Sequence, residues 1–132
     1  MAGEPLLIVD DNALNLKLAR LLLTGAGYEV RTAVDAEEAL SLLQSFHPRL
    51  ILMDIQLPGM DGLELTRYLK ADPARRHIII VALTAYAMKG DEEKMRAAGC
   101  DGYLSKPIDT LALSKTVADY LGASAVEAKP AP

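Results

Sequence analysis

Residues 50–62 read LILMDIQLPGMDG, a short apolar run followed by an aspartate and a polar turn that contains two glycines. The run is continuous rather than alternating, which is typical of a parallel strand that is buried on both faces. Asp54 would be costly inside such a strand, so we expect the strand to end there and to deliver the carboxylate to the sheet edge. The stretch therefore predicts a parallel sheet with an acidic group at the end of a central strand.

Similar apolar runs recur along the chain and alternate with segments of helical period. The predicted strands cover residues 6–9, 28–33, 50–53, 78–83 and 103–104. The predicted inward-facing residues of the five helices are Leu14, Leu18, Leu21 and Leu22; Ala36, Ala39, Leu40 and Leu43; Leu65 and Leu69; Met95 and Ala98; and Leu113, Thr116, Val117, Tyr120 and Leu121. This alternation predicts an α/β fold, a doubly wound five-stranded parallel sheet in a flavodoxin-like (βα)5 sandwich with strand order 2-1-3-4-5.

Length and charge limit the classes of function. The 132 residues suit one domain, which we place at residues 1–121, with residues 122–132 as a flexible tail or the start of a linker. A formal net charge of -4, with no dense run of Lys and Arg, argues against direct binding of nucleic acid or of an anionic membrane. Cys100 is the single cysteine, and the N-terminus has no long apolar segment, so we expect a cytoplasmic location.

Polar side chains follow several of the predicted strands. Asp10 and Asp11 follow the first strand, Asp54 the third, Thr84 the fourth and Lys106 the fifth. Because the carboxyl ends of parallel strands meet at one edge, where doubly wound folds bind ligands, we expect these side chains to share a crevice. Three carboxylates and one lysine leave a local charge of about -2, which favours a divalent cation.

The cation that suits this crevice is Mg²⁺, with Mn²⁺ as a substitute, because oxygen ligands and phosphoryl chemistry favour these ions. Asp11 and Asp54 are predicted direct ligands, Asp10 a ligand directly or through water, and the backbone carbonyl of Gln56 the remaining protein ligand. Asp54 leaves the middle of the sheet and is the best placed to attack a phosphoryl group and form an aspartyl phosphate.

Two further side chains fit this chemistry. Lys106 would contact the phosphoryl oxygens, so that the protein mainly positions groups and stabilises charge. The hydroxyl of Thr84 would turn to donate to the same oxygens, and its inward movement would leave space for a larger side chain.

Four motifs in order carry a family resemblance: VDDN at residues 9–12, LMDIQLPGMDG at 52–62, LTA at 83–85 and YLSKP at 103–107. They resemble the receiver domain of bacterial two-component response regulators, and their amino-acid sequences are most similar to those of DivK-like single-domain regulators and of receivers attached to hybrid kinases. The resemblance implies a CheY-like switch that accepts phosphate on Asp54 from a histidine kinase or a histidine phosphotransfer protein.

The resemblance also implies several finer properties. Tyr103 is the switch aromatic residue that moves in behind Thr84, which alters the surface of helix 4, strand 5 and helix 5 where a downstream protein binds. The bond between Lys106 and Pro107 is expected to be cis. The protein would not be an enzyme beyond its own Mg²⁺-dependent phosphorylation and dephosphorylation, and it would be a monomer, with dimerisation on activation left open.

Gln56 and Tyr86 lie two residues after Asp54 and Thr84, and we expect them to flank the path of the hydrolytic water. Tyr86 is large enough to shield that path, which predicts a phosphoryl group that lasts for minutes or more.

Other functions remain open at this stage. The chain could be the receiver of a hybrid histidine kinase, or a docking module that is never phosphorylated. A phosphatase of the haloacid dehalogenase type has similar chemistry, but it places a second aspartate where this chain has Gln56. A flavodoxin needs a small, hydroxyl-bearing or glycine-bearing phosphate loop, whereas this chain has DDNALN after its first strand.

Overall fold

The computed structural model describes residues 3–85, 89–106 and 108–128, and strands alternate with helices throughout. The elements are β1 (Pro5–Val9), α1 (Ala13–Gly25), β2 (Glu29–Ala33), α2 (Ala36–Leu42), β3 (Leu50–Asp54), α3 (Gly62–Ala71), β4 (Ile79–Thr84), α4 (Lys89–Ala98), β5 (Gly102–Ser105) and α5 (Leu113–Ala128).

The five strands form one parallel sheet in the order β2-β1-β3-β4-β5, which confirms the predicted topology. Chain order reverses at β1, because β2 lies on one side of it and β3 on the other. In folds of this kind the crevice beside such a reversal, at the carboxyl ends of the strands, is the usual ligand site.

Two apolar clusters cover the two faces of the sheet. Leu6 and Ile8 belong to the cluster under α1 and α5, whereas Leu7 and Val9 belong to the cluster under α2 and α3. Successive strand residues point to opposite faces, so a strand covered on both sides must be apolar at every position. This burial explains the continuous apolar run of residues 50–53, all of which are fully buried.

The predicted inward face of α1 is confirmed only in part: Leu18 and Leu22 are partly buried, and Leu22 packs against the core. Leu14 and Leu21 are 73% and 63% exposed, and the residues that α1 buries are Leu16, Ala19 and Leu23. Leucines occur on more than one side of this helix, so the period alone cannot choose between faces. The helix begins directly after Asn12, the N-cap, whose side chain accepts the N–H of Asn15.

The ends of some elements also differ from the predicted ones. Asp54, Thr84 and Ser105 are the last residues of their strands rather than the first residues after them. The reason is that a ladder hydrogen bond needs only the backbone, so a polar side chain can occupy the final strand position where it meets the crevice.

The helix α5 continues past Gly122 to Ala128, into the segment that the sequence predicts to be a flexible tail. Alanine and glutamate in this segment are strong helix formers, which favours continuation of the helix. The domain boundary at residues 121 and 122 stays a prediction. Within residues 3–85, 89–106 and 108–128, no helix has the length and apolar character to cross a membrane.

Candidate functional site

Three carboxylates converge at the carboxyl edge of the sheet. β1 and β3 are paired so that Val9 lies opposite Met53, which places the following residues, Asp10 and Asp54, side by side. One oxygen each from Asp10, Asp11 and Asp54 lies within 4.8 Å of the other two. Asp10 is fully buried and Asp54 is 3% exposed, whereas Asp11 is exposed to solvent.

Lys106, which directly follows the edge strand β5, brings a positive charge to this cluster. Its Nζ lies 2.9 Å from Oδ2 of Asp54 and 3.5 Å from Oδ2 of Asp10. The backbone holds the lysine in place, because the N–H of Lys106 donates to the carbonyl oxygen of Thr84 at 2.7 Å. The structure thus brings together four of the predicted site residues.

Burial and charge shift the ionisation of this group. Burial raises the pKa of Asp54 above its ordinary value, and the neighbouring charge of Asp10 raises it further, against the opposing effect of Lys106 and of the Gln56 N–H. Burial lowers the pKa of Lys106, but the hydrogen bond to Asp54 and the charges of both aspartates outweigh it, so the net pKa is raised. Lys106 therefore stays charged. The ionised form of Asp54 is destabilised by its surroundings, and a second cation nearby would stabilise it.

The Asp54 side chain is also held from the turn that follows β3. The N–H of Gln56 donates to Oδ1 of Asp54 at 2.9 Å, so the two carboxylate oxygens have different partners. The turn closes where the N–H of Gly62 donates to the carbonyl oxygen of Ile55 at 3.1 Å. A Cβ at position 62 would overlap the carbonyl oxygen of Asp54 and lie 2.7 Å from Cα of Ile55. The contact requires glycine, so α3 begins directly against the backbone of Asp54.

The predicted switch residues lie on one face of the sheet. Ile80 belongs to the apolar cluster under α2 and α3, so Thr84, four residues on, points to the same face. Tyr103 is in register with Ala82, which also lies on that face. Thr84 is 2% exposed, and Tyr103 is partly exposed and lines a hollow of about 290 Å³ next to α4 and α5.

Two predicted residues lie outside the described part of the chain: Tyr86 and Pro107. Their proposed roles, in shielding the phosphoryl group and in a cis peptide bond, stay predictions. The role of the Gln56 carbonyl as a metal ligand also stays a prediction, although its N–H contact with Asp54 places this residue beside the site.

Two hydrogen bonds to Asp10 were missed from the sequence. Nδ2 of Asn15 donates to Oδ2 of Asp10 at 3.3 Å, and the N–H of Asn12 donates to Oδ1 of the same carboxylate at 2.9 Å. The available signal was the spacing, because Asn15 stands three residues after the N-cap, where side chains turn back toward the helix start.

The donor set fits a divalent cation. Carboxylate oxygens are the ligands that Mg²⁺ and Mn²⁺ prefer, and three carboxylates lie together here, with Lys106 beside two of them. The exposed carboxylate of Asp11 leaves one side of the cluster open to water, which matches the retained water ligands of magnesium.

The chain matches the family of response regulator receiver domains across residues 6–118, and it belongs to that family. It is 51% identical over 119 residues to the polar-differentiation response regulator DivK of Brucella ovis, a match that covers 90% of this chain and 97% of that protein.

Solved structures agree with this assignment. The receiver domain of the sensor histidine kinase PA1611 from Pseudomonas aeruginosa, whose structure has a magnesium ion coordinated in the active site cleft, superposes with a TM-score of 0.82. That pair is 35% identical, with 92% of this chain and 99% of the other covered. The chemotaxis response regulator CheY4 of Vibrio cholerae superposes with a TM-score of 0.84 at 29% identity, with 90% and 98% covered.

The protein is therefore a DivK-like and CheY-like receiver of two-component signal transduction, as the sequence motifs predicted. The comparisons fit the main interpretation, a single-domain regulator, and do not favour the alternatives of a hybrid-kinase fragment or a phosphatase. Receivers are signalling proteins rather than enzymes in the ordinary sense. They bind Mg²⁺ at an acidic pocket and interact with histidine kinases or phosphotransfer proteins.

Proposed function

We propose that this receiver is a phosphorylation switch whose acceptor is Asp54. The observation that carries the proposal is the position of the Asp54 carboxylate, which is nearly buried between two other aspartates and the ammonium of Lys106. Two acidic neighbours destabilise the ionised form of a buried carboxylate, so a purely structural role does not account for this arrangement.

Asp10, Asp11, Asp54 and the backbone carbonyl of Gln56 would hold the Mg²⁺, with Mn²⁺ as a substitute. The ion supplies positive charge to a phosphoryl group and so lowers the barrier to its transfer. Support comes from the excess of negative charge in the cluster, and from the magnesium ion in the cleft of the similar Pseudomonas receiver.

The chemical step that we propose is an attack by a carboxylate oxygen of Asp54 on the phosphorus of a phosphohistidine. The new bond joins that oxygen to phosphorus, the bond from phosphorus to the histidine nitrogen breaks, and the nitrogen takes the electron pair. Lys106 contacts Asp54 at Oδ2 and Gln56 contacts it at Oδ1, so both oxygens are oriented before the donor arrives. The protein contributes mainly orientation and charge, and it catalyses only its own phosphorylation and dephosphorylation.

The proposed output follows from the shared face of Thr84 and Tyr103. The Thr84 hydroxyl would turn to the phosphoryl oxygens and Tyr103 would move in behind it, so that phosphorylation shifts a population between two packings. Tyr103 lines a hollow beside α4 and α5, so this movement would reshape the surface that a downstream protein recognises. We propose a monomer before activation and leave dimerisation on activation open.

The donor would approach at the exposed rim of the crevice. Leu14 is the second residue of α1, shortly after the acidic pair, and Leu111 lies in the connection after Lys106; their exposed fractions are 73% and 93%. Met60, in the connection after β3, is 37% exposed. These side chains would give a cytoplasmic histidine kinase or phosphotransfer protein apolar contacts beside the charged crevice, and buried apolar contacts are a general part of protein interfaces.

Incubation with a small acyl phosphate and MgCl₂, followed by intact-mass measurement, tests the proposal. We expect one phosphoryl group per chain, stable in acid and labile in base, and none with EDTA or in Asp54→Asn. No gain of mass in the wild-type protein, or a gain that persists in Asp54→Asn, would contradict the assignment.

A further inference from the structure

Asn15 connects the first helix to the most buried acid of the site. Asp10 is fully buried, and its two oxygens accept from three donors: the N–H of Asn12 at Oδ1, and the amide of Asn15 and the ammonium of Lys106 at Oδ2. Lys106 is nearer to Asp54 than to Asp10, at 2.9 Å against 3.5 Å. The orientation of Asp10 therefore depends strongly on the two neutral donors.

The start of α1 is organised around this carboxylate in an unusual way. In a capping box, the side chain of the third helical residue turns back to the N–H of the N-cap residue. Here the N-cap is Asn12 and its side chain accepts the N–H of Asn15, as in a capping box. The N–H of Asn12 and the side-chain amide of Asn15 both donate to Asp10 instead. The carboxylate thus links the N-cap residue to the third residue of the helix.

This arrangement suits an acid that must ligate a cation. A carboxylate that ligates a metal is usually hydrogen-bonded by a second residue, which fixes its orientation. A neutral amide can do so without cancelling the charge that attracts the ion, whereas a second lysine at the same distance would cancel it.

We propose that Asn15 is a positioning residue for Asp10, and that it holds this carboxylate in the orientation that binds Mg²⁺ or Mn²⁺. The proposal rests on the metal site of the proposed function, and it adds a residue that does not itself ligate the ion. It predicts that loss of the Asn15 amide weakens metal binding while the fold stays intact.

Isothermal titration of the metal-free protein with MgCl₂, and separately with MnCl₂, tests this inference. Asn15→Ala should raise the dissociation constant about tenfold or more, the range seen when such supporting hydrogen bonds are removed. Thr24→Ala is the matched control, because Thr24 is an exposed polar residue in the last turn of the same helix. Its dissociation constant for either ion should stay within about twofold of the wild-type value.

A spectroscopic measurement separates positioning from general stability. In ¹³C-labelled protein without metal, the carboxyl resonance of Asp10 should move in Asn15→Ala and stay in place in Thr24→Ala. If wild type binds neither ion, the metal site and this inference both fail. If wild type binds and Asn15→Ala has the same affinity, or if both variants lose affinity equally, the inference alone is overturned.

Discussion

The ammonium of Lys106, which follows β5, lies 2.9 Å from the carboxylate of Asp54 at the end of β3, although β4 separates the two strands in the sheet. The two residues are 52 positions apart in sequence, so the pair forms only when the sheet is complete. Asp54 is nearly buried, yet its pKa is raised in spite of this partner, because burial and the Asp10 charge outweigh the lysine. One lysine is thus insufficient to balance the acids, and this imbalance is the physical basis for a cation site.

Replacement of Lys106 by methionine should separate metal binding from phosphoryl transfer. Removal of a positive charge from among three carboxylates should tighten Mg²⁺ binding, since the repulsion between the two cations is lost. The rate of phosphorylation by a small acyl phosphate should fall about 10²- to 10³-fold, the usual cost of one group that stabilises developing charge. Titration calorimetry and mass-resolved kinetics measure the two effects, and weaker metal binding in Lys106→Met would contradict this account of the charges.

The raised pKa of Asp54 predicts a pH-dependent stability without metal. A group whose pKa is higher in the folded state stabilises the fold in its protonated form, and this contribution is lost as the pH rises through the folded value. Wild type should therefore lose stability relative to Asp54→Asn as the pH rises from the ordinary carboxyl range, by about 1.4 kcal/mol for each unit of pKa shift. Urea unfolding of both proteins in EDTA across this pH range gives the two stabilities, and a wild type that gains stability relative to Asp54→Asn with rising pH would contradict the shift.

Gly62→Ala should disturb the acceptor through its backbone. The new Cβ would overlap the carbonyl oxygen of Asp54, and overpacking of this kind costs about 1–3 kcal/mol of unfolding free energy. In the folded fraction at low temperature, the phosphorylation rate should also fall, because the carboxylate moves with its backbone. Gly25→Ala is the control, since a Cβ there meets no atom within 4 Å and alanine favours the helix. Equal rates in the two variants would contradict a tight contact between α3 and the acceptor.

The exposed leucines at the rim should matter for a protein donor only. Leu14→Ser and Leu111→Ser should each slow transfer from a cognate phosphohistidine protein about tenfold, because each removes an apolar contact of more than 1 kcal/mol. Phosphorylation by a small acyl phosphate should be unchanged, since that donor needs no docking surface. Leu21→Ser, also on α1 but about two turns further from the crevice, shows how far the contact extends along the helix. A loss of rate with the small donor would contradict a docking role.

The sheet and its acidic edge could be predicted from the sequence because burial on both faces leaves continuous apolar runs, as in residues 50–53. The same logic placed Asp10, Asp54 and Lys106 at one edge, since parallel strands end together. The face of α1 could be predicted only in part, because leucines occur around much of that helix and its period does not single out one side.

The sequence pattern did not predict two contacts of the site. One is made by a short polar side chain, and the other is possible only because glycine has no side chain. The Asn15 amide reaches Asp10 only because α1 starts at one particular residue. The contact of Gly62 with the Asp54 backbone depends on how closely α3 approaches β3. Periodicity reports which residues face the core, but it does not give such distances.

The most direct test of the account identifies the residue that carries the phosphoryl group. Borohydride reduces an acyl phosphate of aspartate to an alcohol, so treatment of the phosphorylated protein, followed by peptide mass spectrometry, marks the acceptor as homoserine. The account predicts homoserine at position 54, with aspartate retained at positions 10 and 11. Homoserine at Asp10 or Asp11, or at none of the three positions in protein that has gained a phosphoryl group, would contradict it.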